Sequence, residues 1–192
     1  MRCFIAVTVG RSITERMGAL LDDLRAEAER AGLRVSWSRP ESWHATLKFL
    51  GEIDEAKAAA AGNAIRPLAS EQAPFPVAAT GLMTLPRRAS KPKVIAVALA
   101  DDGRLAALAS AVDQRIEAHG FAPEQRAYTP HLTLGRIRDP RGWRRFAPAV
   151  ARHAAQDIGT SEVHEMALYR SRLGDGPARY EVIERFAFGA GR

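Results

Sequence analysis

The chain has 192 residues, 46% of them apolar and 26% charged. Those proportions fit a single folded domain over 1–192 and exclude a disordered chain, and no apolar run is long enough to cross a bilayer. A net charge of +6 suits a polyanionic partner such as nucleic acid, although an arginine- and alanine-rich composition produces the same excess without one.

Residues 2–9 alternate and predict an opening strand, without the apolar core and cleavage site of a signal peptide. Cys3 is the single cysteine, which excludes an internal disulfide framework or a thiolate metal cluster and fits a reducing cytoplasm. Ser12 with Glu15 reads as a capping box for a helix through Leu20, Leu21 and Leu24 to about Ala31, with Gly32 as its C-cap. Residues 35–37 read as a short edge strand ended by Pro40. A strand at 43–50 follows, then Asp54 caps an alanine-rich helix to about Ile65, and 67–76 reads as a loop. Runs at 77–85 and 94–99 read as antiparallel strands joined by the basic stretch 86–93. Leu105, Leu108, Val112 and Ile116 predict an amphipathic helix over 103–119. A strand at 130–137 precedes a helix opened by Asp139-Pro140 and running to about His153. Runs at 162–171 and 178–188 read as a closing hairpin around Gly174-Asp175-Gly176.

One pattern occurs twice: His44-Ala45-Thr46-Leu47 and His131-Leu132-Thr133-Leu134. With five His, eight Thr and sixteen Leu in the chain, chance supplies only about 0.02 copies of His-x-Thr-Leu. On a strand, residues two apart share a face, so each copy offers one imidazole and one hydroxyl to the same surface. Ala45, Leu47, Leu132 and Leu134 would point into a core. Either copy alone reads more readily as a satisfied histidine beside a β-favouring threonine. The pair, 87 residues apart with corresponding flanks, points to a duplication and to one shared site. The expected architecture is α+β: two pseudo-symmetric lobes of antiparallel sheet, helices outside, motif strands lining a central cleft.

These residues resemble the two-histidine phosphoesterase superfamily, whose hallmark is a pair of His-x-Thr-x motifs. Within it the chain is most similar to bacterial RNA 2',3'-cyclic phosphodiesterases, also called 2'-5' RNA ligase-like proteins. The resemblance rests on Phe4-Ile5-Ala6-Val7, on the first motif with its Lys48-Phe49-Leu50-Gly51 extension, and on Thr129-Pro130 and Gly135-Arg136 around the second. Weaker likeness extends to Leu168-Tyr169-Arg170-Ser171 and Ala178-Arg179-Tyr180. It implies hydrolysis of RNA 2',3'-cyclic phosphate ends or cyclic nucleotides to 2'-phosphomonoesters, with 2'-5' joining as the reverse activity. It also implies His44 as acid toward the departing 3' oxygen, His131 as base toward water, and Thr46, Thr133 and Arg136 as phosphate contacts.

That chemistry suits the residues. Opening a cyclic phosphate needs a base for water and an acid for the leaving oxygen on opposite sides of phosphorus, and imidazole titrates near ~6.5. No cofactor or metal is expected, because two histidines without nearby Cys, Asp or Glu leave a zinc shell unfilled. His119, His153 and His164 read as surface or helix-end residues, and Trp43 and Tyr128 as packing. Lys48 shares parity with His44 and Thr46, yet an ordinary solvated rim charge is the favoured reading. Strict alternation turns Arg136 away from His131 unless Gly135 hosts a bulge. Other readings are a non-catalytic RNA-end-binding module, or an enzyme for another cyclic phosphate such as an ADP-ribose derivative. The expected partner is RNA, with no membrane, and the chain is expected to be a monomer.

Overall fold

A computed structural model describes residues 1–87, 89–172 and 179–189. In chain order these form β1 (Arg2–Val7), α1 (Arg11–Ala31), β2 (Arg34–Trp37), β3 (Ala45–Glu52), α2 (Glu55–Glu71), β4 (Phe75–Leu85), β5 (Val94–Ala100), α3 (Arg104–Glu117), β6 (His131–Asp139), α4 (Trp143–Arg152), β7 (Asp157–Val163), β8 (Glu165–Arg172) and β9 (Arg179–Ala187). Short 3₁₀ turns at Pro40–Ser42 and Pro140–Gly142 precede β3 and α4. Two antiparallel sheets result, sheet A in the order β3-β1-β8-β9 and sheet B in the order β2-β6-β5-β4-β7. The architecture is α+β with two lobes, as the alternating pattern predicts.

Each lobe draws on both halves of the chain. In sheet A, β1 pairs with β3 on one side and with β8 from the later half on the other, whereas in sheet B, β5 pairs with β6 and with the earlier β4. The helices exchange in the same sense: α2 and α3 pack with sheet A, α1 and α4 with sheet B. Ile5, Val7, Ala45, Leu47, Leu132 and Leu134 join the main core beneath these helices. Phe4, Ala6, Ala167 and Tyr169 form a separate cluster on the opposite face of sheet A.

Several expectations needed correction. Ser12 does not cap α1: Gly10 is the N-cap without a side-chain bond, and the Ser12 hydroxyl donates to the Thr160 carbonyl at 2.7 Å. Asp54 does cap α2, accepting from the Lys57 N–H at 2.7 Å, and Gly32 ends α1 at φ 69°. The helix nevertheless runs through Pro67 to Glu71, where a loop was expected. Ile65 and Ala69 continue its buried face past the proline, so packing overrides the lost hydrogen bond. The expected strand at 162–171 is divided, because the chain leaves sheet B after Val163 and enters sheet A at Glu165. β9 pairs with β8 as the closing hairpin, and its turn at 174–176 lies outside the described residues.

Lys48 is the sharpest surprise. Only 6% exposed, it donates to the Ala122 carbonyl at 2.7 Å and pairs with the Asp113 carboxylate. The cause is a bulge in β3: Thr46 opposes Ala6, but Lys48 opposes Ile5, so parity slips by one residue between them. The side chain turns inward toward the α3 side of the sheet and never reaches the inner face. Removing one member of a buried pair strands the other charge, at a cost of about 3 kcal/mol or more. Lys48→Met should therefore lower stability by roughly that amount in urea unfolding while leaving turnover per folded molecule unchanged. An unchanged midpoint would contradict this account of the pair.

Candidate active site

β1 reaches only Val7, opposite Ala45, so His44 lies one residue before the paired part of β3. His131 begins β6 and opposes Ala98. The expectation that both histidines stand within strands holds for the second copy and misses by one residue in the first. Both imidazoles are half-buried and held in the same way. Nδ1 of His44 lies 2.6 Å from the Ser42 carbonyl, and Nδ1 of His131 lies 2.7 Å from the Thr129 carbonyl. A carbonyl only accepts, so each Nδ1 carries the hydrogen and each neutral ring keeps Nε2 as its accepting nitrogen. No residue-type signal announces this bond, since the acceptor is backbone.

The bulge in β3 recurs in β6. Thr133 opposes Ala96, Gly135 opposes Ile95 and Arg136 opposes Val94, with the register slipping after Thr133. Ala98, Ala96 and Val94 share one face of β5, so His131, Thr133 and Arg136 share one face of β6. The parity conflict over Arg136 is resolved by that slip. Gly135 then faces inward where the first copy has Lys48, and a Cβ there would sit 2.6 Å from Val35 and 2.7 Å from the Trp37 ring. Glycine is needed for β2 to pair closely.

In sheet A the same slip puts Phe49 on the inner face, opposite Phe4. There His44 stacks on Phe4 at 4.7 Å between ring centroids and meets Tyr180 edge-on at 4.9 Å, while Tyr169 stacks on Phe4 at 5.0 Å. Phe49, 51% exposed, borders this aromatic floor, which sequence reasoning missed because strict alternation from His44 turns Phe49 toward the core. Trp43 is packed in the core and Tyr128 against it, as expected. Neither the Trp43 indole nitrogen nor the Tyr128 hydroxyl has a partner among the described residues.

β2 opposes only Gly135 to Asp139 of β6, which leaves the His131 end of that strand uncovered on this side. β6 also approaches β3, with Cα atoms within 8 Å, and His131 is near enough to His44 to act on its charge. The two motifs therefore come together, each with a threonine whose hydroxyl makes no hydrogen bond among the described residues. Desolvation, and then the positive charges of His131 and Arg136, push His44 down to about 4 despite its backbone bond. Desolvation and Arg136 push His131 in the same direction. Both imidazoles are neutral in the empty cleft at neutral pH, and a bound anion beside Arg136 opposes those shifts. Among the described residues no three His, Cys, Asp or Glu side chains gather as a metal site, and no helix is long and apolar enough to cross a membrane.

Comparison with known proteins agrees with this duplication. The LigT-like phosphoesterase family model matches twice, over residues 7–96 and 97–179, with one motif in each match. The chain belongs to the LigT-like phosphoesterase family. An RNA 2',3'-cyclic phosphodiesterase from Archaeoglobus fulgidus is 30% identical over 186 residues, spanning 97% of this chain and 99% of that protein. One from Methanothermobacter thermautotrophicus is 28% identical, covering 97% and 98%. A crystal structure from Thermus thermophilus superposes with a TM-score of 0.78 at 25% identity, covering 99% of both chains. E. coli LigT complexed with 3'-AMP has the same fold, at a TM-score of 0.71 and 21% identity over 97% of each chain.

The depressed His44 has a measurable consequence. Between its ordinary 6.5 and about 4, the unfolded chain binds a proton that the folded protein refuses. The stability due to neutral His44 is thus complete above pH ~6.5 and is lost as pH falls through that window. NMR titration should place its midpoint near 4, and saturating phosphate should raise it. A midpoint at or above 6.5 in the ligand-free protein would contradict the packing described.

Proposed function

We propose that the protein hydrolyses RNA 2',3'-cyclic phosphate ends to 2'-phosphomonoesters without a metal, by acid–base catalysis between His44 and His131. The observation that carries this reading is the identical tethering of both imidazoles, which presents two Nε2 atoms with one tautomer each in a shared cleft. Family membership and relatives named RNA 2',3'-cyclic phosphodiesterase support the substrate class.

In the proposed reaction His131 Nε2 takes a proton from water as its oxygen attacks phosphorus. The bond from phosphorus to the 3' oxygen breaks, and protonated His44 gives that oxygen its proton. The phosphate stays on the 2' oxygen. Thr46 and Thr133 donate hydroxyl hydrogen bonds to the non-bridging oxygens as charge builds there. Arg136 has no ion-pair partner among the described residues, and it supplies positive charge from the sheet B side. Phe49, its counterpart five residues beyond the other histidine, offers an apolar ring for a base on the sheet A side, where stacking contributes about 1–3 kcal/mol. That difference between the lobes selects the substrate's orientation. The role of His44 as acid requires the phosphate's negative charge to overcome its depression in the empty cleft.

His44→Ala and His131→Ala should each reduce kcat by about 10²–10⁴-fold, and Thr46→Ala or Thr133→Ala by about 10–10³-fold, in folded protein. Activity should persist in EDTA. Near-normal turnover in either histidine variant, or loss of turnover on chelation that a divalent ion restores, would refute the mechanism. Product chromatography from a cyclic mononucleotide separates the orientations, because a 3'-phosphate means the substrate lies reversed and the histidines exchange roles.

A further inference from the structure

The basic stretch 86–93 joins β4 to β5, and nothing in the proposed reaction uses it. The strand registers fix where it lies. Thr133 opposes Ala96 and Ala96 opposes Met83, while Arg136 opposes Val94 and Val94 opposes Leu85. Residues directly opposed in an antiparallel sheet share a face, so Met83 and Leu85 stand on the inner face with both site residues. Burial agrees: Met83 and Ala96 are buried outside the main core, whereas their neighbours Leu82, Ile95 and Val97 belong to it. The Arg87 guanidinium turns back over this face and donates to Met83 Sδ at 3.8 Å. A thioether is a weak acceptor, and Arg87 makes no ion pair among the described residues, so its charge is uncommitted.

Two strand spacings, about 10 Å, separate Met83 from Thr133 across β5. Arg136 stands on one side of β5 and Arg87 on the other, with Val94 and Ala96 as the floor between them. Opposing charge is scarce here. β2, β6, β5 and β4 with the hairpin 86–93 carry a single carboxylate, Asp139, and Arg141 holds it. The same segments also carry Arg34, Lys91, Lys93 and Arg138. Sheet A offers less to an anion beside its histidine. Rings surround His44, and Arg185, opposite Ala167 on the Thr46 rung, is already paired with Glu165. A polyanion that reaches the histidines is therefore drawn across sheet B.

We propose that Arg87 binds a backbone phosphate of the RNA upstream of the cyclic end, leading the strand across sheet B and favouring oligonucleotides over mononucleotides. The inference rests on the proposed function for the place of the cyclic end between the histidines. A planar guanidinium matches the two non-bridging oxygens of a phosphodiester. A span of about 10 Å is about three stacked nucleotides at a rise of 3.4 Å each, and fewer when the strand is extended.

The test compares a 2',3'-cyclic mononucleotide with a cyclic-ended RNA of about six nucleotides, long enough to cross sheet B. Wild type should show the higher kcat/KM on the RNA. Arg87 is exposed on a hairpin, so its replacement leaves the core untouched. Arg87→Gln should lose roughly 10-fold on the RNA, mainly through KM, while the mononucleotide stays within about twofold. The log–log salt slope of RNA binding should shrink in magnitude by about 0.7, the share of one phosphate contact on a single strand. Equal losses on both substrates, no loss on the RNA, or no wild-type preference for RNA would overturn the subsite. If wild type cleaves neither substrate, the proposed function fails instead. Fluorescence anisotropy with a labelled 3'-phosphorylated RNA of the same length then decides Arg87: weaker binding by Arg87→Gln upholds its role, and equal binding overturns it.

Discussion

Strict alternation would bury the fifth residue after each histidine in the core of its lobe. The slip between Thr46 and Lys48, repeated between Thr133 and Gly135, reverses that outcome and brings Phe49 and Arg136 to the inner faces. The same slip sends Lys48 and Gly135 inward, one to meet Asp113 and the other to admit Val35 and Trp37. Everything that faces the cleft beyond the threonines depends on this extra residue. Its recurrence in both sheets shows that the duplicated unit includes the strand irregularity as well as the motif.

With that framework in common, the two inner faces diverge. Sheet A supplies stacked and edge-on rings around His44, while sheet B sets small residues, Ala96 and Ala98, beneath His131 and adds a guanidinium. The histidines themselves are treated alike, with Nδ1 given to a carbonyl two residues earlier. Symmetric tethering with asymmetric surroundings yields two similar bases whose protonation is set by what lies between them. His44 binds a proton less readily in the empty cleft than a free imidazole, chiefly through desolvation, with His131, once protonated, and Arg136 adding to it.

Much of this was legible in the residues. The repeated His-x-Thr-Leu pattern predicted both the pairing of motifs and the direction of the intervening leucines, because period-two alternation holds as far as each threonine. It failed at Lys48, where nothing in the local sequence marks the slip, although Gly135 hinted at one in the second copy. The aromatic floor assembles Phe4, Phe49, Tyr169 and Tyr180 from four strands, and such proximity has no sequence-local signature. Pro67 misled because its helix is held by a buried stripe rather than by propensity, and Ser12 because its hydroxyl found a carbonyl on β7 instead of its own helix. The Nδ1 bonds use backbone acceptors and were invisible for that reason.

The exchange of β4 and β8 between sheets bears on how such a molecule could arise. A chain holding only one repeat would leave its last strand with no sheet of its own to join, and its first helix would reach across to cover another sheet. Two identical copies answer both needs by swapping those elements about a two-fold axis, which would pass between the histidine-bearing strands. The catalytic centre would then be an intersubunit seam, with every substituent forced to appear twice. Fusion into one polypeptide lifts that constraint, and positions 49 and 136 record the freedom gained: a ring on one side, a cation on the other.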